Sequence, residues 1–366
     1  MPHAVLNPTP TLEAARYAFG AFVDRLSRDA RTVALHDSDA DGVTAGVVWQ
    51  RAFERAGFAQ AVRVTPDRER NAWTHANKER LRACAAESLF VLDLGSQPEP
   101  IIQDLPSCFI DHHRPEGAPP GATLISAYTW NPIPNTSLIV WELCSTIADT
   151  SDLDWIAAIG TLSDCGDNAP FDMLAAAKRK YKAKYLKEAT VLINAARRGS
   201  TYDPEAAARA LLQHANPQAL VNSDADEVRQ LRFAREEVKA AMDEAKKAAP
   251  VFAGRVALLR MSSPCQIHPL IAQIWRSRLP RYIVIAANDG YLPGRVNFSA
   301  RSAANVSVLD FLREIELSEG EGHHGHGHDQ ASGGSLPIER WNELLAKLGF
   351  SNEVFAVNKR PTPDAS

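Results

Sequence analysis

The chain has 366 residues, of which 45% are hydrophobic and 23% charged, with 40 basic and 44 acidic side chains and a net charge of −4. That balance excludes a wholly disordered chain. The lack of a basic excess excludes a protein that holds long duplex nucleic acid by charge alone, although a local basic groove or an acidic site bridged by metal ions stays open.

At roughly 100–200 residues per domain, the length predicts two domains. Met1–Thr11 has no apolar core of signal-peptide length, and no run reaches the about 18 apolar residues of a membrane span. The five cysteines (Cys84, Cys108, Cys144, Cys165, Cys265) are odd in number and never form C-x-x-C. This reads against a disulfide framework or structural zinc, and for thiols kept reduced in the cytoplasm.

In chain order, Val33–Leu35 is a short strand that runs into His36-Asp37-Ser38-Asp39-Ala40-Asp41-Gly42. Val43, Val47, Val48 and Ala52 then predict a helix that stops near Gly57. Ala61–Val64 is a second strand and Asn77–Ala86 a helix. Leu89–Leu92 is a third strand, stopping at Asp93, and Cys108–Ile110 a fourth, stopping at Asp111-His112-His113. Helical patterns follow over Ser137–Ala148 and Leu153–Leu162, and again through Lys178–His214. Ser223–Ala249 reads as one amphipathic helix, with Val228, Leu231, Ala234, Val238, Met242 and Ala245 in a stripe, a capping box at Ser223 and Asp226, and Pro250 as its stop. Val256–Leu259 and Tyr282–Ala287 are strands again, and Lys359–Ser366 is a polar tail.

Short apolar strands separated by helices predict an α/β fold: a parallel sheet covered by helices on both faces, then a helical connector and a smaller α/β domain. The expected boundaries are residues 1–190, 191–250 and 251–366. In such sheets ligands bind beyond the carboxyl ends of the strands, which is where the acidic clusters fall.

Asp37, Asp39 and Asp41 alternate at spacing two, and like charges so close repel unless cations occupy the site. Alone, such a run reads equally well as a solvated loop or a helix cap. Asp93, Asp111-His112-His113 and Asp164 after Gly160-Thr161-Leu162 add carboxylates and imidazole at other strand and helix ends. That mixture suits manganese, with magnesium, iron or cobalt as alternatives.

The segments HDSDADG, LDLGS, FIDHHRP and GTLSDCGD closely resemble, in order, the four motifs of the DHH phosphoesterase superfamily. Trp130-Asn131-Pro132 and Ser137 resemble the RecJ-like branch, and GRVNFSARS (Gly294–Ser302) and GHGHDQASGG (Gly325–Gly334) resemble the two signatures of its C-terminal DHHA1 domain. Together they span residues 33 to 334.

The resemblance implies that Asp39, Asp41, Asp93, His112 and Asp164 are metal ligands, with Asp93 bridging two ions. It implies that Asp111 orients a histidine, and that His113 meets the scissile phosphate or helps protonate the leaving oxygen. Arg301 would grip a phosphate, and His328, Gly327, Gly333 and Gly334 would form a substrate-binding wall whose backbone lets an anion approach closely. Family members carry a histidine four or two residues before the first aspartate ligand. Here Leu35 and Asp37 hold those places and His36 stands between them, so either His36 or Asp37 completes the first metal site. His326 stands where a glycine is common.

Other features read as structural first. His323, His324 and His326 are expected to face solvent, Trp130 and Trp275 to pack more readily than to stack bases, and Lys178–Lys187 to be a solvated helix face or a nucleic-acid surface. The expected function is a manganese-dependent hydrolase, a phosphodiesterase that trims single-stranded DNA or RNA oligonucleotides from an end by two-metal activation of a water. Mg2+ or Co2+ are possible ions. The DADG first motif favours the RecJ-like exonuclease branch, while the length leaves no room for the further domains of bacterial RecJ, so short strands are the expected substrates. The alternative is a phosphoesterase for small nucleotide substrates: dinucleotides, cyclic dinucleotides, adenosine bisphosphate or polyphosphate. A binding module that has lost catalysis is disfavoured, because the acidic ligands remain.

Overall fold

The computed structural model describes residues 12–167, 169, 171–320 and 322–355, and the side chains of residues 323 and 326–328 lie outside what it describes. The first unit contains α1 (Leu12–Val23), β1 (Arg31–His36), α2 (Ala40–Arg55), β2 (Gln60–Val64), α3 (His75–Ala83), β3 (Ser88–Leu92), β4 (Ser107–Asp111) and β5 (Thr123–Ser126). It continues through α4 (Thr136–Cys144), α5 (Asp154–Asp164), α6 (Met173–Tyr181), α7 (Ala183–Arg198), α8 (Pro204–Gln213) and α9 (Pro217–Asn222) into α10 (Asp226–Ala245). The chain divides within α10, between Arg235 and Glu236, with Arg198–Ser200 assigned to the second unit.

The first unit is built on a five-stranded sheet in the order β2-β1-β3-β4-β5, every pair parallel. Successive strand residues point to opposite faces, and both faces are covered. Ala34, Phe90, Leu92, Cys108 and Ile110 pack with residues of α1, α2, α4 and α5. Val33, Leu35, Leu89, Val91 and Phe109 pack with Leu81 of α3 and with Ala72, Leu94 and Ile101. This is why these strands read as unbroken apolar runs. Phe90 meets Phe22, Trp49 and Phe53 at centroid distances of 5.2, 5.3 and 5.1 Å, contacts each worth ~1 kcal/mol beyond burial.

In this unit α1, β5 and α9 have no counterpart among the predicted elements. In α1, Ala15, Phe19 and Phe22 recur at helical spacing and are buried. The edge strand β5 has only four residues and two of them are only half-buried, so its apolar pattern is faint.

The second unit contains β6 (Val251–Ala253), β7 (Val256–Met261), α11 (His268–Arg278), β8 (Ile283–Asn288), β9 (Arg295–Ser302), α12 (Val308–Arg313), β10 (His323–His328), β11 (Ala331–Pro337) and α13 (Ile338–Lys347). Its sheet runs β10-β11-β9-β8-β7-β6. Only β7 and β8 pair in parallel, and the other pairs are antiparallel. Leu258, Ile285 and Phe298 pack with Leu312 of α12 and with Trp341 and Leu344 of α13. Ala257, Leu259, Val284 and Ala286 pack with Ile271 and Ala272 of α11 and with Ala245 of α10.

The predicted stripe on α10 is therefore shared. Val228 and Leu231 belong to the first core, Val238, Met242 and Ala245 to the second. The helix starts at Asp226, after the separate α9, and the Ser223 hydroxyl accepts from the Ala225 N–H at 3.1 Å. No helix among the described residues is long and apolar enough to cross a membrane.

Candidate metal centre

Strand register places the site. His36 pairs with Leu92, and Leu92 with Ile110, so Asp37, Asp93 and Asp111 emerge at one level of one sheet edge. Parallel pairing makes this the carboxyl end of all three strands, the edge at which α/β sheets bind ligands.

Asp39 caps α2, its Oδ1 accepting from the N–H groups of Asp41 and Gly42 at 3.0 and 3.1 Å. Asp41 lies in the first turn of that helix and is fully buried. The start of α4 is aimed at it. Oδ1 accepts from Asn135 Nδ2 and the Ser137 N–H, both at 2.6 Å, and Oδ2 accepts from the Thr136 N–H at 3.0 Å. The Thr136 and Ser137 N–H groups are otherwise orphaned donors of a helix N-terminus, where negative charge is favoured.

Asp93 has φ 65°, a left-handed conformation that costs a non-glycine residue ~1 kcal/mol and that aspartate tolerates better than most. Its Oδ1 accepts from Thr136 Oγ1 at 3.0 Å and lies 3.2 Å from His112 Nε2. The same His112 nitrogen is 3.3 Å from Asp164 Oδ2, at the end of α5, and 3.7 Å from Asp41 Oδ2. Asp111 holds the neighbouring ring: its Oδ1 accepts from His113 N and Nδ1 at 2.6 and 2.7 Å, and its Oδ2 from the Gly95 N–H at 2.5 Å.

Burial and neighbouring charges shift the protonation of these groups. Burial, then the charges of Asp164 and Asp39, push the Asp41 carboxyl well above the ordinary range. Burial, then Asp41 and Asp39, do the same to Asp93, and burial with Asp39 pushes Asp164 up to about 6. Burial would also raise Asp111, but the His113 charge and its hydrogen bonds outweigh it and hold the carboxyl low. In His113 burial is outweighed by Asp111, and the imidazole is pushed up to about 9. Carboxylates packed this tightly favour protonation unless cations sit among them.

Among the described residues, three groups offer ligand atoms within 4.8 Å of one another: Asp41 with His112 and Asp164, Asp37 with Asp39 and Asp93, and Asp93 with His112 and His113. Hard carboxylate oxygens mixed with imidazole suit manganese, magnesium or iron, so the donor set fits divalent cations.

The structure brings together Asp37, Asp39, Asp41, Asp93, Asp111, His112, His113 and Asp164, and it does not bring in His36. That imidazole is buried, with Nδ1 2.7 Å from the Asp37 carbonyl oxygen and Nε2 3.3 Å from Arg63 Nη1. Burial and Arg63 lower its pKa to about 3, so it stays neutral. A Cβ at Gly46 would lie 2.2 Å from the ring, so α2 closes over it. Of the two residues left open by the sequence, Asp37 is the one at the acid cluster.

Sequence reasoning missed Asn135, Thr136, Arg70 and Arg197. Asn135-Thr136-Ser137 before an apolar run is a recognisable N-cap signal that marks the helix start one or two residues before the expected Ser137. Arg70 and Arg197 belong to no motif.

In the second unit, Arg301 lies in β9, beside Val284 on β8 and Ala331 on β11. Gly333 and Gly334 lie in β11, between β9 and β10. A Cβ at Gly333 would come 2.3 Å from the Phe298 carbonyl oxygen, so close strand approach already requires glycine there. The backbones of Gly327 and His328 pair with Ser332 and Ala331, and their further surroundings lie outside the described residues. Nε2 of His324 is 2.8 Å from the Ile315 carbonyl oxygen. Trp130 and Trp275 pack against the two cores, and two lysines of the basic run are paired, Lys178 with Asp167 and Lys180 with Asp154.

No protein-family model and no curated protein matches the sequence. Solved structures do. RecJ from Thermus thermophilus in complex with Mn2+ aligns with a TM-score of 0.67 at 17% identity, over 97% of this chain and 56% of that one. This chain thus spans little more than half of that RecJ. An exonuclease RecJ bound to manganese aligns with a TM-score of 0.59 at 20% identity, over 97% of both chains. The DHH domain of a member of the s1p family of ribosomal proteins aligns with a TM-score of 0.65 at 12% identity, over 96% of this chain and 95% of that one. With its parallel sheet and its acids at one strand edge, the chain shares the fold of these RecJ and DHH-domain structures.

Proposed function

We propose that the chain is a divalent-metal-dependent phosphodiesterase, with manganese as its ion, that hydrolyses single-stranded oligonucleotides from an end. The observation that carries this reading is the convergence of Asp37, Asp39, Asp41, Asp93, His112 and Asp164 on shared positions, where burial and neighbouring carboxylates push the Asp41 and Asp93 carboxyls well above the ordinary range. The likeness to a manganese-bound RecJ exonuclease supports it.

Bound cations would neutralise phosphate oxygens and activate a water for in-line attack. The chain's own residues supply the rest. The start of α4 orients Asp41 through three hydrogen bonds, and Thr136 ties Asp93 to the same helix. Asp111 fixes the His113 ring through Nδ1 and keeps it protonated, so that it can offset phosphoryl charge or give a proton to the leaving oxygen. Arg301 is our candidate for a phosphate contact in the second unit, which we assign to substrate binding.

The test is a substrate panel in manganese: end-labelled single-stranded DNA and RNA of several lengths, adenosine bisphosphate, cyclic dinucleotides and polyphosphate. Stepwise shortening of labelled strands from one end is the expected result. Turnover of only the small phosphoesters replaces this reading with the small-substrate one, and no turnover of any of them overturns both.

A further inference from the structure

The acids of the metal centre are held in two different ways. Asp41 and Asp93 are held by neutral donors of α4, and neither these two nor Asp164 has a lysine or arginine in ion-pair contact among the described residues. Asp37 and Asp39 are held by guanidinium groups. Arg70 takes Asp37 in a fork, with Nε 2.7 Å from Oδ1 and Nη2 on Oδ2. The same Nη2 lies 3.6 Å from Asp39 Oδ2, and Arg197 Nη2 lies 3.4 Å from that oxygen. Two carboxylates thus face two guanidiniums on one side of the site. On the other, three carboxylates converge on the His112 imidazole.

Arg70 is built into this place. It stands in the loop between β2 and α3 with φ 56°, a conformation that non-glycine residues hold only where their surroundings enforce it. The loop is tied on several sides. The Asp67 N–H donates to Asn77 Oδ1 at 3.1 Å, the buried Asn77 donates from Nδ2 to the Asn71 carbonyl at 2.7 Å, and the Tyr202 hydroxyl reaches the Pro66 and Asp67 carbonyls, both at 2.9 Å. Asp37 itself is 2% exposed, so little water competes for the fork. A bidentate guanidinium on a buried carboxylate is among the stronger polar contacts in a protein.

We propose that Arg70 is a resident counter-ion for Asp37 and Asp39, which makes the ion position on Asp37, Asp39 and Asp93 weak and exchangeable while the position on Asp41, His112 and Asp164 binds tightly. An ion that takes an Asp37 oxygen must share it with an Arg70 N–H, and the guanidinium charge stays close enough to repel the ion. Among the described residues no lysine or arginine is in ion-pair contact with the carboxylates of the other position, where Asp164 feels Arg197 only from beyond that distance. This rests on the reading of the cluster as a metal centre and adds to it an order of filling and the residue that sets it. Arg70 acts through Asp37, so it is a positioning residue.

The experiment is a titration of the metal-stripped full chain with Mn2+, following free Mn2+ by electron paramagnetic resonance and binding heat by calorimetry. Wild type is expected to show two classes of site separated by about 10-fold or more in affinity, the scale on which outer contacts tune metal ligands. Arg70→Gln, which removes the repelling charge, should tighten the weak class by about 10-fold and leave the tight class in place. Asp37→Asn should remove the weak class and spare the tight one. Arg70→Lys, which keeps the charge without the fork, should fall between wild type and Arg70→Gln, and it serves if the glutamine variant does not fold. Two equal sites in wild type, or a weak class unmoved or weakened in the Arg70 variants, overturns the proposal and leaves the metal centre standing. Absence of any Mn2+ binding by wild type overturns both.

Discussion

The two sheets of this chain treat their functional candidates differently. In the first unit every strand pair is parallel, so β1, β3 and β4 end at the same edge. Whatever follows those strands is delivered to one place, and here that is Asp37, Asp93 and Asp111. In the second unit similar short, buried strands are laid out mostly antiparallel, with ends at both edges. Its candidates Arg301, Gly333 and Gly334 lie within strands, where side chains alternate between faces and backbone groups serve the ladder. A parallel sheet gathers chemistry at an edge. A mixed sheet presents a surface.

The largest effect that could break this comparison lies at the edge. Asp93→Asn keeps a residue that tolerates the left-handed backbone but removes the carboxylate charge. It should abolish both Mn2+ binding at the weak position on Asp37, Asp39 and Asp93 and metal-dependent turnover. Retention of either in a folded variant shows that the edge does not carry the chemistry.

Next is Gly333→Ala, whose added Cβ meets the Phe298 carbonyl oxygen at 2.3 Å. Overpacking of this kind costs ~1–3 kcal/mol, so thermal unfolding followed by circular dichroism should shift down by several degrees while Mn2+ affinity holds. A variant as stable as wild type would mean that the glycine serves a ligand and not the sheet.

A smaller effect is expected at Thr136, which hydrogen-bonds Asp93 with its hydroxyl and Asp41 with its N–H. Thr136→Val should weaken Mn2+ binding by about 10-fold and Thr136→Ser should restore it. Equal affinity in all three removes α4 from the account of metal binding. The smallest is Arg301→Ala, which should raise KM by about threefold with kcat unchanged, the scale of a partly solvated charge contact. A fall in kcat alone would place Arg301 at the reacting atoms, and no change would remove it from substrate binding.

Much of the first unit was legible because two local signals coincide there. Buried parallel strands are apolar on both faces, so Leu89–Leu92 and Cys108–Ile110 stand out, and each is followed at once by its acid. Where burial is partial the signal fades, as in β5, and where no motif accompanies a helix it is easily passed over, as in α1. Asp39 as a helix cap and Asp41 in the first turn could be inferred from the run before Gly42. Their partners could not. Asn135 is 94 residues from Asp41, Arg70 is 33 from Asp37, and Asp164 reaches His112 from another helix altogether.

The sequence by itself determined the α/β class, the strand ends that carry the acids, and the run Asp111-His112-His113, because each depends on hydrophobic period and immediate succession along the chain. Only the tertiary structure shows where His36 and Asp37 point. Adjacent residues leave a strand on opposite sides, and the burial of His36 between α2 and Arg63 leaves Asp37 to face the cluster. It also decided how the acids are compensated, by helix-end donors on one side and by guanidiniums on the other. Electrostatic compensation depends on separation in space, which sequence separation does not encode.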